Sequence, residues 1–362
     1  METVTFRILD AAANRVREGL RVIEDYARFG LQDAFLTAEC KNLRHELAEL
    51  LSAIDPRRLL ASRETLTDVG TSLTTMSEAV RLDQHTVVAA NCKRIQEALR
   101  SLEEYGKTIS PAIAASLEQL RYRSYTLEKA ISNVGHAVAS LDQCHLYVLI
   151  PGGESIAKFT ELVTALLDAN VDAIQLRDKR LADRELLERG EVLRKLIDQR
   201  LPAADSALST SKRVPLMIFN DRPDLAVLAR ADGVHVGQEE LTVSAVRRIV
   251  GPQMLVGVST HTIAQARQAV LDGADYIGVG PTFPSRTKPF ESFAGLDFCR
   301  EVAAELALPA FAIGGINADN LAELLATGIK RVAVGECLND PATVGENAQQ
   351  LRGLLTRGTI SG

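Results

Sequence analysis

From His145 onward, short apolar runs rich in β-branched residues alternate with amphipathic segments of helical periodicity. This alternation occurs eight times, and each apolar run has the length of a buried strand. Eight successive strand–helix units favour a closed (β/α)8 TIM barrel over an open doubly wound sheet. The predicted strands are Leu146–Ile150, Ala173–Leu176, Leu216–Phe219, Gly233–Val236, Leu255–Val258, Tyr276–Val279, Ala310–Ile313 and Val332–Val334. One long connection, Leu201–Arg213, is rich in Ala and Ser and is predicted to be an exposed, mobile insertion.

Residues 1–140 follow a different pattern, because Gly and Pro are scarce and apolar residues recur at three- and four-residue spacing. This stretch also repeats itself, since the segment E-x-L-R-x-x-E-[DE]-Y begins at Glu18 and again at Glu97. A helix pair that occurs twice predicts an all-α helical bundle of four helices with pseudo-twofold symmetry. We therefore predict two domains, an all-helical bundle at 1–140 and an α/β TIM barrel at 141–362.

Composition narrows the class of partner. The net charge is −6 and no long Lys/Arg run interrupts it, which argues against a nucleic-acid or acidic-membrane partner. The five cysteines form no C-x-x-C pair, which argues against a zinc site or a disulfide framework and fits a reducing cytoplasm. The sequence has neither a signal-peptide pattern nor an apolar run long enough to span a bilayer. We expect a cytoplasmic protein.

Polar residues are concentrated just after the predicted strands, where the active site of a TIM barrel lies. Strand alternation points the side chains of Gln175, Arg177 and Lys179 to one side. The strand-end residues, in chain order, are Gln175 to Lys179, Asn220 to Arg222, His235 to Glu240, Ser259 to His261, Gly280 to Lys288, Gly314 to Ile316, and Gly335 with Glu336.

Two anion sites and one metal site are predicted from these residues. The backbone N–H groups of Gly314, Gly315 and Gly335 are placed to cradle a phosphate in the position that this fold commonly uses. A second, more highly charged group would be neutralised by Arg177, Lys179 and Lys288. The carboxylates of Asp221 and Glu240 are hard oxygen ligands suited to Mg²⁺ beside a diphosphate. This combination predicts the joining of two phosphorylated molecules with loss of diphosphate.

Each feature also has a purely structural interpretation. The Gly-Gly pair could be only a tight turn, and Arg177 and Lys179 could be solvated rim charges paired with Asp178. Asp221 and Ser259 could cap the helices that follow them. The histidines at these strand ends are more often structural than catalytic. The functional interpretation depends on the succession of all these residues at neighbouring strand ends.

The motifs in this half form an ordered set. They are Q-L-R-D-K, F-N-D-R, A-D-G-V-H-V-G-Q, G-V-S-T-H, G-A-D-Y-I-G-V-G-P, T-K and A-I-G-G-I. From Cys144 to about Leu355 the chain thereby resembles the thiamine-phosphate synthase family. The resemblance implies a Mg²⁺-dependent transferase that joins hydroxymethylpyrimidine diphosphate to a thiazole phosphate and releases pyrophosphate. It also implies a dissociative mechanism, in which diphosphate leaves before the thiazole nitrogen attacks.

The resemblance implies roles for individual residues. The catalytic residues would be Arg177, Lys179, Ser259 and Lys288. The metal ligands would be Asp221 and Glu240. The substrate-binding residues would be Gln175, Leu176, Arg177, Asp178, Lys179, Asn220, Ser259, Ser285, Arg286, Thr287, Lys288, Gly315, Gly335 and Glu336.

Two positions depart from the family pattern. Glu240 stands where the family usually has Asp, which changes the reach of the predicted metal ligand. Glu336 stands where the family usually has a small polar residue, and a carboxylate facing a phosphate would be unfavourable. A backbone-only contact, with Glu336 turned outward, would remove that conflict.

The helical half resembles a domain that is often fused ahead of this synthase and is associated with phosphorylation of hydroxymethylpyrimidine phosphate. The matching stretches are Arg7 to Asp10, Asn14 to Tyr26, Leu43 to Glu46, Asp68 to Thr71 and Asn91 to Tyr105. The resemblance implies ATP as a co-substrate, although no Walker or kinase-type Gly-rich loop is present. Arg21 and Arg100 are predicted to converge on one phosphate site. The alternative is a tethering or dimerisation bundle whose Arg–Glu pairs are helix-surface salt bridges.

Two other functions compete for the whole chain. The barrel could be a thiazole tautomerase, an isomerase that uses only the thiazole-phosphate half of the site. The chain could instead be a non-enzymatic sensor of thiamine phosphates. The synthase is favoured because the chain has all the residues expected to bind the diphosphate substrate and its metal, namely Gln175, Arg177, Lys179, Asn220 and Asp221. The sequence leaves open whether the chain forms a homo-oligomer.

Overall fold

The computed structural model describes residues 2–65, 68, 80–200, 214–284 and 294–360, the side chains of 2 and 357–360 excepted. The chain divides into two compact units, Met1–Gly135 and His136–Gly362. The predicted insertion at Leu201–Arg213 lies outside the described residues. Among the described helices, none combines the length and the apolar character needed to cross a membrane.

The first unit is helical in its described part. Its elements are α1 (Glu2–Asp25), a π-helical turn (Tyr26–Leu31), α2 (Ala34–Ser52), α3 (Pro56–Ala61), α4 (Gln84–Gly106) and α5 (Pro111–Ser140), the last of which runs on into the second unit. The side chains of Asp33, Asp55 and Asp83 accept backbone N–H bonds at the starts of α2, α3 and α4. Helices α1 and α4 pack closely, because a Cβ on Gly19 would lie 2.7 Å from Cγ1 of Ile95.

The repeated sequence segment forms the same ion-pair arrangement twice. Glu24 is buried and lies 3.3 Å from Arg21 of its own helix and 3.1 Å from Arg44 of α2. In the second copy, the buried Glu103 lies 2.7 Å from Arg100 and 2.9 Å from Arg121 of α5. The duplication predicted from sequence is therefore present as a duplicated packing unit.

The second unit contains eight parallel strands in a closed barrel, in the order in which they occur along the chain. The strands are β1 (Leu146–Ile150), β2 (Ala173–Leu176), β3 (Leu216–Asn220), β4 (Gly233–Val236), β5 (Leu255–Thr260), β6 (Tyr276–Val279), β7 (Ala310–Ile313) and β8 (Arg331–Val334). The helices are α6 (Ile156–Asp168), α7 (Asp183–Asp198), α8 (Pro223–Leu228), α9 (Val243–Val250), α10 (Ile263–Asp272), α11 (Gly295–Glu305), α12 (Leu321–Leu325) and α13 (Val344–Ile360). The prediction of a TIM barrel preceded by a helical region is confirmed.

The barrel interior is filled by side chains of alternate strand residues. The aromatic rings of Tyr147, Tyr276 and Phe311 pack edge to face, with centroid distances of 5.3 to 5.9 Å. Leu141, just before β1, belongs to the same buried cluster. The interior is therefore a packed core, and a ligand can be held only at a strand end.

The amino ends of three strands are each held by hydrogen bonds to an aspartate that precedes the next strand. Asp172, Asp232 and Asp275 each exchange backbone and side-chain hydrogen bonds with the first or second residue of the preceding strand. Each carboxylate also pairs with an arginine of a surrounding helix, namely Arg352, Arg194 and Arg247 respectively. Asp232 and Asp275 occur in the motifs that carry the family resemblance, and their hydrogen bonds and ion pairs give them a stabilising role.

Candidate active site

The end of β2 places its polar residues in distinct environments. Gln175 is buried in the barrel, where its Nε2 donates to the Tyr147 hydroxyl at 2.7 Å and its Oε1 has no partner among the described atoms. Arg177, two residues further on, is exposed at the strand end, and its backbone N–H donates to the Ile150 carbonyl at 2.9 Å. The amide oxygen of Gln175 is therefore a buried polar group with unused hydrogen-bonding capacity in the penultimate residue of β2.

Lys179 joins the two predicted metal ligands. Its Nζ lies 3.1 Å from Oδ2 of Asp221 and 3.5 Å from Oε1 of Glu240. The hydrogen bond with Asp221 raises the pKa of Lys179, so the ammonium form is retained. The structure thus brings the ends of β2, β3 and β4 together around one cation and two carboxylates.

Asp221 is held in an unusual backbone conformation. Its φ is +60°, in the left-handed region that few non-glycine residues adopt, and its N–H donates to the His235 carbonyl at 2.8 Å. The side chain of Asn220 donates to Oδ2 of Asp221 at 2.7 Å. Helix α8 begins after Arg222 without a side-chain cap, so the capping interpretation of Asp221 is wrong. Strain of this kind is common where a side chain must be aimed at a ligand.

Glu240 reaches the site by folding back over the loop after β4. A Cβ on Gly237 would lie 2.3 Å from Oε2 of Glu240, so the glycine leaves room for this rotamer of the carboxylate. The longer side chain that departs from the family pattern therefore lies against Gly237. Sequence analysis placed Gly237 among the strand-end residues but predicted no role for it.

The carboxylates of Asp221 and Glu240 fit a Mg²⁺ ion that would be coordinated by protein and substrate oxygens together. Among the described residues, no group of three or more His, Cys, Asp and Glu side chains is arranged to hold a metal. Two carboxylates bridged by one ammonium are present instead, and Mg²⁺ is commonly held by one or two carboxylates, substrate phosphates and water. Asp221 and Glu240 are suited to this arrangement.

His235 and Ser259 form a contact that sequence analysis did not predict. Nε2 of His235 lies 2.9 Å from Oγ of Ser259, and Nδ1 is buried with no partner among the described atoms. Burial lowers the pKa of His235 to about 4, so the ring is neutral near pH 7. Helix α10 is capped by Thr262, so the capping interpretation of Ser259 is wrong. Together, the pair offers neutral hydrogen-bonding groups beside the charged cluster.

Two other predicted binding residues of β2 are engaged by the protein itself. The Leu176 side chain is buried. The Asp178 carboxylate accepts from the Gly152 N–H at 3.1 Å and from Arg180, whose hydrogen bonds lower the pKa of Asp178. Asp178 therefore pairs with Arg180, whereas Lys179 pairs with Asp221 and Glu240. This differs from the structural interpretation, in which Lys179 would be a solvated charge paired with Asp178.

The predicted phosphate cradle is only partly described. Gly314 and Gly315 have positive φ values of 105° and 64°, and Cβ atoms there would lie 3.0 Å from Pro281 and 2.7 Å from the Pro284 carbonyl oxygen. Gly335 has neither a positive φ nor a close contact, and Glu336 is exposed. The remaining predicted residues, Ser285, Arg286, Thr287 and Lys288, lie outside the described residues.

In the helical unit, Arg21 and Arg100 do not contact each other through any described hydrogen bond or ion pair. Each pairs with the glutamate three residues further along its own helix. Both arginines are 56% exposed, and both pairs belong to the duplicated packing unit. The salt-bridge interpretation therefore accounts for this repeated motif.

Comparison with known proteins decides the family. A family model described as thiamine monophosphate synthase matches residues 146–338, which is more than half of the chain. The chain belongs to the thiamine-phosphate synthase family. Thiamine-phosphate synthase from Rhodopirellula baltica is 43% identical over 360 residues, covering 97% of this chain and 92% of that protein. The corresponding protein from Synechocystis is 38% identical over 355 residues, covering 98% and 97%.

A solved structure and a second family model complete the comparison. Thiamine phosphate pyrophosphorylase from Pyrococcus furiosus is 28% identical with a TM-score of 0.50, covering 60% of this chain and 98% of that one. A model described as the ThiD2 family matches residues 7–130. The predicted function, a synthase and transferase of thiamine biosynthesis, is confirmed, and the tautomerase and sensor alternatives are not supported by these relatives.

Proposed function

We propose that the strand-end residues of this synthase join hydroxymethylpyrimidine diphosphate to a thiazole phosphate. The observation that carries the proposal is the convergence of Lys179, Asp221 and Glu240 from three neighbouring strand ends. This cluster provides a charged position for a diphosphate and its metal near the buried ring of His235.

In the reaction, the carbon–oxygen bond between the pyrimidine methylene and diphosphate breaks, and the bonding electrons leave with the diphosphate. The thiazole nitrogen then forms a bond to the methylene cation. Arg177 and Lys179 neutralise the leaving group. Asp221 and Glu240 would hold Mg²⁺, and the bound ion would supply further charge neutralisation. The coupling step needs no proton transfer, which agrees with a neutral His235 that orients Ser259.

The test is a two-substrate assay of the full chain without ATP. We expect thiamine phosphate and pyrophosphate to form in equal amounts, and neither to form when one substrate is omitted. Isomerisation of the thiazole phosphate alone would favour the tautomerase. Binding of both substrates without turnover would favour the sensor.

We also propose that the helical unit phosphorylates hydroxymethylpyrimidine phosphate. An oxygen of the substrate phosphate would attack the terminal phosphorus of ATP, the bond to the ADP oxygen would break, and the barrel's diphosphate substrate would result. The match of residues 7–130 to the ThiD2 family supports this proposal. The experiment is incubation of the full chain with the monophosphate, ATP and Mg²⁺. If no ADP or pyrimidine diphosphate forms, the tethering interpretation is preferred.

The cytoplasmic location stays a prediction, and whether the chain forms a homo-oligomer stays open.

A further inference from the structure

A charged cluster in the helical unit is used neither by the coupling reaction nor by the duplicated ion pairs. It comprises Arg7, Asp10 and Asn14 on α1, with Arg63 and Asp68 from the segment after α3, and we call it the α1 polar cluster. Two stretches of the family resemblance, Arg7 to Asp10 and the start of Asp68 to Thr71, therefore lie side by side although they are far apart in sequence.

The contacts within the α1 polar cluster are specific. Nε and Nη2 of Arg63 donate to the two carboxylate oxygens of Asp10, each at 2.8 Å. Nδ2 of Asn14 donates to Asp10 at 3.4 Å. Nη2 of Arg7 donates to the Glu64 carbonyl at 2.7 Å and lies 3.8 Å from Asp68. Asp10 thus fixes the orientation of one guanidinium group, and a second lies one helical turn away.

The pseudo-twofold repeat separates structural from functional residues. The Glu24 and Glu103 ion pairs occur in both copies, as expected for groups that the packing requires. The α1 polar cluster occurs in one copy only. At the offset that relates Glu18 to Glu97, the positions of Arg7, Asp10 and Asn14 are occupied by Thr86, Ala89 and Lys93. Packing of the repeated helix therefore does not require the cluster. Because fixing charged side chains in one arrangement costs conformational entropy, the cluster needs another explanation.

The exposure of these groups indicates what they bind. The Asp10 side chain is only 11% exposed, whereas those of Arg63 and Arg7 are 46% and 40% exposed. A guanidinium has five N–H donors, so Arg63 retains donors beyond the two that Asp10 accepts. Two partly exposed guanidinium groups, one of them oriented by a carboxylate, match the oxygens of a phosphate dianion.

We propose that the α1 polar cluster binds the phosphate group of a phosphate monoester, the class to which hydroxymethylpyrimidine phosphate belongs. The inference rests on the proposed kinase function and deepens it, since it places the acceptor phosphate at Arg7 and Arg63. Arg21 and Arg100 are then packing residues.

Calorimetric titration of the full chain with hydroxymethylpyrimidine phosphate tests the site. We expect Arg7→Ala and Arg63→Gln each to weaken binding by about tenfold or more, as for loss of a charge-assisted contact. Arg123→Ala is the matched control, because Arg123 lies in the same unit, is 42% exposed and pairs with Glu46 at 2.5 Å. It should bind like the wild type.

Arg63→Gln leaves the Asp10 carboxylate without its partner and could unfold the unit, so circular dichroism must accompany it. Arg7→Ala keeps the Arg63–Asp10 pair and carries the decision if Arg63→Gln does not fold. Wild-type affinity in Arg7→Ala, or no binding by the wild-type chain, would overturn the site.

ATP-dependent formation of the diphosphate, measured in parallel, separates the two proposals. Absence of product with selective loss of binding in Arg7→Ala would refute the kinase and retain the site. Product formed at the wild-type rate by Arg7→Ala would retain the kinase and refute the site.

Discussion

Lys179 compensates two carboxylates with one ammonium group, since it lies within 3.5 Å of both Asp221 and Glu240. In the proposed reaction the same side chain also neutralises the leaving diphosphate. A residue with both roles would link the predicted metal ligands to the leaving group.

Arg177→Ala and Lys179→Ala should each lower kcat/KM for coupling by about 10²-fold or more, because each removes charge stabilisation of the leaving group. Initial rates of thiamine phosphate formation at saturating Mg²⁺ measure the effect. Arg180→Ala is the control, since Arg180 pairs with Asp178 and is 81% exposed. Coupling at near the wild-type rate in both Arg177→Ala and Lys179→Ala would refute the assignment.

Asp221→Asn should weaken Mg²⁺ dependence and coupling sharply, because it removes the negative charge of one metal ligand. Glu240→Asp should retain activity, since it restores the residue that the family usually has. Mg²⁺ titrations of the coupling rate compare both variants with Glu240→Ala. Equal damage in Glu240→Asp and Glu240→Ala would mean that the metal shell is built differently.

His235 should titrate with a pKa of about 4 in the folded chain, because burial disfavours the imidazolium form. The unfolded state binds this proton below its ordinary pKa of about 6.5. The contribution of the neutral ring to the free energy of unfolding is therefore fully present above about pH 6.5 and is lost as the pH falls towards 4. The loss amounts to up to about 3 kcal/mol. An NMR titration, with His235→Gln to assign the signal, measures this pKa. A value near 6.5 would contradict the buried, neutral ring.

At the scale of elements, the strand bounds could be predicted because apolar runs and helical segments alternate. The predictions ended β3 and β5 too early, at Phe219 and Val258, whereas the strands continue to Asn220 and Thr260. Polar residues at the end of a strand predict a loop when only the sequence is considered. The inter-strand hydrogen bonds nevertheless continue through these residues.

The convergence of Asp221 and Glu240 could also be predicted, since both follow adjacent parallel strands. The hydrogen bond between the side chains of His235 and Ser259 could not be predicted, because it depends on the register of β4 against β5 and on the orientation of the imidazole ring. The room that Gly237 leaves for Glu240 is likewise a matter of loop conformation. The phosphate-binding role of Arg21 and Arg100 was inferred from repetition alone, which a duplicated packing unit explains equally well.

The amino ends of the strands should be important for stability and not for chemistry. Asp275→Ala should destabilise the barrel by about 3 kcal/mol, because it removes a buried hydrogen bond to the Val256 N–H and leaves Arg247 without its partner. Hydrogen exchange of barrel amides in urea measures the loss in the full chain.

The control for this prediction is Asp297→Ala, which removes an exposed carboxylate paired with Arg300 and should cost less than about 0.5 kcal/mol. The KM values for coupling should not change in Asp275→Ala at a temperature where it is folded. Unchanged stability would refute the proposed role of the strand-start aspartates.

At the scale of the whole molecule, the two proposed steps belong to two different units. The barrel's predicted metal ligands and the α1 polar cluster lie in separate compact units, each with its own buried core. The product of the helical unit would be the substrate of the barrel. The central claim is that the strand-end residues of the barrel suffice for coupling.

The most direct test is the coupling rate of a truncated chain comprising residues 136–362, which retains Leu141 in the barrel core. Supplied with the pyrimidine diphosphate, thiazole phosphate and Mg²⁺, it should form thiamine phosphate with kcat and KM within about threefold of the full chain, since every predicted site residue of the barrel lies within residues 136–362. A folded 136–362 chain that binds both substrates but forms no thiamine phosphate would contradict the claim.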